Sequence, residues 1–329
     1  MLTDVTEPYT CQAAGLHHLQ TGDIEEHAGG LNGWDVRYNQ LTLGRFAGSI
    51  TELRLDGMQL IRDRANQGMI KNGAAWDGAI TFSLPLAYRE PSLYCAGHAI
   101  DMQGMLVAHG ARLPELRVPA GVDLLCVAMD QDQLEQVLEQ QQRSISLRQI
   151  TQCYDFPAEV QRELAMLITS LMDVQLQQGL ALLSHDPIRT GVRDTILMQL
   201  LDLLDNDEAM AISPNARKRI VDRACDYVLS RRDDPPSIVD LCNRVGASRR
   251  KLQYCFHETL GINPVAYLRT LRLNEAHRAL LQAGATTTVQ DVAACWGFWH
   301  LSRFATDYRQ LFGEKPSETL RRRRQSDRH

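Results

Sequence analysis

Between Ser237 and Leu320 the sequence carries one helical pattern twice, and this repeat constrains the fold more than any other stretch. In the first copy Ser237 caps a helix whose apolar positions are Ile238, Leu241, Cys242 and Val245. That spacing lines one buried face. Gly246 and Ala247 then make a tight turn, because glycine accepts the left-handed backbone that ends a helix. Ser248 caps the next helix through its hydroxyl. That helix carries Leu252, Cys255 and Phe256 inward and Arg249, Arg250, Gln253 and Tyr254 outward. Helix, glycine turn and helix with an Arg- and Gln-rich outer face predict a helix-turn-helix, its second helix shaped for the major groove. In the second copy Thr288 caps Val289 to Trp296, with Val292 and Cys295 inward, and Gly297 makes the turn. A second reading helix is expected from about Leu301 to Phe312, with Phe304, Tyr308 and Leu311 inward and Ser302, Arg303, Thr306 and Arg309 outward. A helix over about Pro264 to Gln282 separates the two copies.

The stretch resembles the DNA-binding domain of the AraC/XylS family of transcription regulators. Ser248, Leu252, Gln253, Phe256, Gly261, Pro264 and Tyr267 carry the resemblance in the first half. Arg272, Leu273 and Ala276 carry it in the linker helix, and Asp291, Val292, Ala293, Gly297, Phe298, Phe304, Phe312, Gly313, Pro316 and Ser317 in the second half. Two departures bear on base preference and not on the fold. The family usually has a small polar residue where Trp299 stands and an arginine where Thr306 stands. The run from Gly297 to Leu320 is similar to regulators of the ethanolamine-utilisation type and related amine-catabolism regulators. The resemblance implies double-stranded promoter DNA as partner, activation through contact with RNA polymerase, a homodimer and a small-molecule effector, here an amine or amino alcohol. By position it puts the family's base-reading residues on Arg250, Gln253 and Tyr254, and on Ser302, Arg303 and Thr306.

Charge divides along the same line. From Pro214 onward there are 21 Lys and Arg against 12 Asp and Glu, a surplus of nine. The preceding residues carry a deficit of 14, leaving −5 in all. A basic C-terminal third suits a polyanion, and an acidic remainder does not. The 329 residues are enough for two domains. No apolar run approaches bilayer length and no signal-peptide pattern opens the chain, so a cytoplasmic protein without membrane contact is expected. None of the eight cysteines forms a C-x-x-C pair, and three of them fall on inward faces of the C-terminal helices. They read as small apolar residues in a reducing setting.

Residues 1 to about 30 are polar and aperiodic and read as a loose arm, in which the adjacent His17 and His18 lack acid or thiol partners for a metal. From Trp34 to about Met129 short runs alternate with turn residues. Asp56-Gly57 between two alternating runs predicts a hairpin, and Ile80 to Leu84 a strand ended by Pro85. This texture predicts a small barrel or sandwich. Tyr38 to Arg62 resembles the cupin-like effector domain found in part of the same family. Gln131 to Gln142, Glu159 to Gln178 and Pro187 to Asp205 read as helices, the last two packing on the barrel or facing a second subunit.

The expected architecture is therefore α+β. An N-terminal cupin-like β-barrel with flanking helices spans 31–206, a linker 207–216, and an all-α tandem helix-turn-helix domain 217–325. The helix-turn-helix units lie at about 237–259 and 288–312. Arg321 to Arg324 end it as a basic tail, either on DNA backbone or in solvent. No Ser-His-Asp spacing, phosphate-binding glycine loop or H-x-H pair occurs, so no enzyme activity, metal or cofactor is expected. A ligand pocket would draw its wall from Trp34, Tyr38, Phe46, Trp76, Phe82 and Tyr88, with Asp77 or Glu90 as counter-charge for an ammonium group. A barrel that only oligomerises is the alternative.

Overall fold

The computed structural model describes residues 14–88, 93–143, 151–204 and 209–326. In chain order the elements begin with β1 (Gly15–Thr21), α1 (Ile24–Ala28), β2 (Asp35–Gln40), β3 (Gly48–Leu55), β4 (Met58–Ala65), β5 (Met69–Ala74) and β6 (Ala79–Ala87). They continue with β7 (Leu93–Cys95), β8 (His98–Ile100), β9 (Gly104–His109), β10 (Leu113–Val118), β11 (Val122–Asp130), α2 (Gln131–Gln140) and β12 (Gln152–Asp155). Then come α3 (Ala158–Gln178), α4 (Asp186–Leu204), β13 (Met210–Ala211) and α5 (Ala216–Leu229). The chain closes with α6 (Ile238–Val245), α7 (Arg249–Leu260), α8 (Pro264–Leu281), α9 (Val289–Cys295), α10 (Leu301–Phe312) and α11 (Pro316–Ser326).

The N-terminal half is two antiparallel sheets, barrel-like but not closed. One runs β1-β3-β4-β11-β6-β9-β12-β13 and the other β2-β5-β10-β7-β8, which leaves β2 an edge strand. The Asp56-Gly57 hairpin forms as expected, with Leu55 opposite Met58. The central strands β3, β4, β11, β6 and β9 of the larger sheet are largely buried on both faces. One face shares a core with the smaller sheet through Ile50, Ile61, Leu106, Leu124, Tyr38 and Met69. On the other face Leu53, Leu60, Phe82 and Val127 meet Leu164, Ile168, Met172, Ile196 and Leu200 of α3 and α4. The two helices thus pack onto their own sheet. Val160, Met166 and Val174 of α3 stay exposed.

Three details differ from the sequence reading. Residues 15–28 are not a loose arm: they form β1 and α1, because β1 pairs along its whole length with β3 and Ile24 and His27 are buried. Pro85 lies inside β6 rather than ending it. It is tolerated there because β9 pairs only with Ile80–Ser83, so at Pro85 the strand has lost one neighbour, and the register shifts opposite it. The expected linker also joins the sheet, through Met210 and Ala211 pairing with β12. Residues 1–13, Glu90 and residues 205–208 lie outside the described residues.

The C-terminal half is helical. Ser237 and Thr288 each close a capping box at α6 and α9, and Ser248 caps α7. Gly246 takes φ +67, the left-handed turn the sequence requires. The two helix-turn-helix units keep separate cores. Leu241, Leu252 and Phe256 fill the first, and Val292, Phe304 and Tyr308 the second. α8 serves both, giving Tyr267, Leu268 and Leu271 to one and Leu273, Ala276 and Leu280 to the other. Cys255 is buried, whereas Cys295 is exposed because Val292 and Ala293 take the inward positions of the short α9 and Trp296 turns inward at its C-cap.

Candidate nucleic-acid interface and barrel pocket

Arg249, Arg250, Gln253 and Tyr254 on α7 are all exposed, as are Ser302, Arg303, Thr306 and Arg309 on α10. On each helix the opposite face is core, so the outward side chains stand on a rigid base. The Tyr254 ring lies under two cations, Arg217 at 5.3 Å and Lys251 at 5.7 Å. Thr306 spends its hydroxyl on the Ser302 carbonyl, 3.0 Å away. α8 fixes α10 from below. Arg269 pairs with Asp307, and Arg272 donates to the carbonyls of Trp296 and Gly297 at 3.3 and 3.4 Å while lying over the Phe298 ring. The two helices α7 and α10 are therefore held by one rod.

That rod is docked on the barrel. Arg278 of α8 donates to the Tyr38 carbonyl and, at 2.9 Å, to the Asn39 side chain, and pairs with Glu25 at 2.8 Å. Arg37 pairs with Glu275. The end of α10 is held as well. Gly44 donates its backbone N–H to the carbonyls of Gln310 and Leu311 at 2.9 and 3.1 Å, and Gln40 Nε2 reaches the Leu311 carbonyl at 2.6 Å. These carbonyls have no partner further along their own helix. A Cβ on Gly313 would fall 2.7–2.9 Å from Arg45, so only glycine admits this approach. At the other end Lys218 of α5 pairs with Glu115 of β10 at 3.0 Å.

A buried cluster completes the contact. His277 of α8 bonds Asp23 at 3.1 Å and the Tyr308 hydroxyl at 2.5 Å, and stacks on Phe312. Arg322 of α11 bonds both Asp23 and Glu314. Burial pushes Asp23 up, but the hydrogen bond and charge of His277, with Arg322, outweigh it and hold the carboxyl at about 2. Asp23, His277 and Glu314 bring possible metal-ligand atoms within 4.8 Å of one another. The cation among them is the Arg322 guanidinium.

The pocket lies between the two sheets. It is lined mainly by apolar side chains, Leu31, Leu106 and Cys126 among them. Its charged groups are Asp63 and Lys71, paired at 2.5 Å. Asp63 also accepts from His27 at 2.9 Å and Tyr38 at 3.5 Å. Burial raises the Asp63 carboxyl, yet Lys71 and His27 hold it well below the usual carboxylate range. Burial drives the Tyr38 phenol up, and the Asp63 charge adds to this. Of the aromatic residues singled out in the sequence, Trp34 and Tyr38 line this pocket. Trp76 is core and donates to Gln59 at 3.2 Å, as Trp34 does at 2.8 Å. Phe82 faces α3 and α4, Phe46 packs against His27, and Tyr88 bonds the Ile100 carbonyl. Asp77 is exposed in a turn, where it caps Gly78. Asp63, Lys71 and His27 had no sequence signal. They converge from α1, β4 and β5 only once the sheets form.

A family model described as a helix-turn-helix domain matches residues 241–322, which span both units and the rod between them. The C-terminal part of the chain is thus similar to the helix-turn-helix region of AraC-type regulators. Among the relatives of the chain is the probable thc operon regulatory protein of Rhodococcus erythropolis, 34% identical over 170 residues, 51% of either chain. Another is XylDLEGF operon transcriptional activator 2 of Pseudomonas putida, 40% identical over 86 residues, 26% of this chain and 54% of that one. The chain spans about half the length of these curated relatives. Among solved structures, a probable AraC family transcriptional regulator from Rhodopseudomonas palustris CGA009 is 37% identical. It covers 32% of this chain and 97% of its own, with a TM-score of 0.30. Among the described residues no helix is long and apolar enough to cross a membrane.

Proposed function

We propose that this protein is an AraC/XylS-family regulator, which binds promoter DNA through α7 and α10 and activates a catabolic operon in response to a small molecule held in the barrel. The observation that carries the reading is the pair of exposed Arg-bearing helices mounted on the single rod α8. Two such helices fit successive major grooves about 34 Å apart. Arginine matches guanine O6/N7 and glutamine matches adenine N6/N7. Relatives named as an operon regulator and an operon activator support activation, and RNA polymerase is the further partner that an activator would contact. Selection of duplexes from a random pool tests the reading. It predicts an enriched pair of half-sites one helical turn apart and an affinity that falls steeply with salt. A pool that stays random contradicts it.

The effector we infer is small and mostly apolar, with one polar head that meets the Asp63–Lys71 pair. The pair offers both signs, so an amine or amino alcohol would bond Asp63 and an acid would bond Lys71. Thermal shift against amines, amino alcohols, amino acids, sugars and simple carboxylic acids separates these. A ligand at 100 times its dissociation constant stabilises by about 2.7 kcal/mol when only the folded state binds it. The exposed Val160, Met166 and Val174 of α3 favour a second role for this half, as the face of a homodimer. A barrel that only oligomerises would give a dimer and no thermal shift with any compound.

A further inference from the structure

Trp299 is 71% exposed, more than any other large apolar side chain among the described residues. Its neighbour Leu301 is 43% exposed. Other aromatic residues of the second unit point inward: Trp296 and Phe298 are 6% and 8% exposed, and Phe304 and Tyr308 are fully buried. An indole left in water forgoes the burial that normally makes tryptophan stabilising. The fold does not require it there, since the turn is already held by Arg272 on the Trp296 and Gly297 carbonyls.

Position says what covers it. Trp299 and Leu301 flank the start of α10, and the N-terminal residues of a reading helix are those that meet base edges. The next two outward residues are Ser302 and Arg303, and this third of the chain has a surplus of nine positive charges. An apolar pair beside Arg303, in a part of the chain with net positive charge, fits a groove that is anionic at its walls and carries apolar groups on its floor. In the major groove the apolar group is the thymine 5-methyl.

We propose that Trp299, with Leu301, is a specificity-determining contact to thymine methyl groups beside the bases read by Ser302 and Arg303. This rests on the DNA-binding reading above. The side chain selects thymine without a hydrogen bond, by covering one methyl that cytosine and uracil lack.

The test uses the full chain and duplexes it selects from a random pool. In the best duplex each thymine of the half-site read by α10 is replaced singly by deoxyuridine, which deletes only the methyl. The wild-type chain is expected to lose about 4-fold in affinity at one or two of these positions, the worth of one buried methyl. Trp299→Ala is expected to bind the parent duplex more weakly and to be indifferent to those replacements. Exposure makes misfolding of this variant a minor concern, and its thermal unfolding should match wild type. Of the four tryptophans, Trp34 is half-buried and Trp76 and Trp296 are buried, so iodide quenching reports mainly Trp299. Bound DNA should protect it.

Failure is readable in two ways. If no duplex is enriched, the DNA-binding reading falls and the inference with it. Enriched duplexes that bind Trp299→Ala as tightly as wild type, or that leave Trp299 open to iodide, overturn the inference alone, as expected if another protein or a second copy covers the indole. A variant that weakens binding equally with thymine and deoxyuridine also overturns it, because the contact would then be to sugar and phosphate.

Discussion

Asn274 pairs with Gln40 as one peptide group pairs with another. Gln40 donates its backbone N–H to Asn274 Oδ1 at 2.8 Å, and Asn274 Nδ2 donates to the Gln40 carbonyl at 3.0 Å. Gln40 ends β2, the edge strand whose side chains Val36 and Tyr38 line the pocket. A side chain of α8 thus completes the free edge of the pocket wall. An unpaired strand edge is otherwise exposed to adventitious pairing.

Replacement of Asn274 by Ala should therefore cost more than one exposed hydrogen bond. Asn274 is 1% exposed, so its loss strands a buried donor and a buried acceptor. Each costs about 1–3 kcal/mol when left unsatisfied. Denaturant unfolding of Asn274→Ala should show this loss, and proteolysis should cut more readily between the halves. Gly313→Ala should loosen the same dock from the α10 end, by collision with Arg45 and by its φ of +73.

Acid should weaken the dock through Asp23. Its folded value of about 2 lies below the ordinary 3.8, so the charged form is favoured by folding. Its contribution of about 2 kcal/mol is fully present above pH ~4 and is lost as pH falls toward 2. Unfolding free energy measured from pH 6 to pH 2 should fall more steeply in wild type than in Asp23→Asn. Parallel curves would remove Asp23 from the account.

The pocket pair should tolerate removal only as a pair. Lys71→Met leaves the Asp63 charge buried with its strongest partner gone, at a cost of about 3–5 kcal/mol. The double variant with Asp63→Asn should recover most of that, as read by denaturant midpoints. A Lys71→Met protein as stable as wild type would contradict the arrangement.

What was legible in the sequence follows how locally each feature is determined. Ser237, Ser248 and Thr288 cap helices by bonds to residues three positions ahead, so α6, α7 and α9 could be placed to within a residue. The faces of α7 and α10 follow from apolar spacing alone. β1 escaped notice because it alternates only weakly and is held by pairing with β3, more than 25 residues away. The Asp63, Lys71 and His27 cluster was hidden because His27 lies 36 residues from Asp63 and reaches it only across the folded sheets. Nor is the dock readable: Gln40 and Asn274 carry no motif, and their complementarity exists only after both halves fold.

The most direct test of the central claim compares Arg250→Ala and Arg303→Ala on every single-base variant of a selected duplex. Two helices on one rod should read separate half-sites. Each substitution should relax preference at its own base pair by about 1–3 kcal/mol, the two pairs lying about one helical turn apart. Unchanged affinity and base preference in both variants, or loss at the same base pair, would contradict the account.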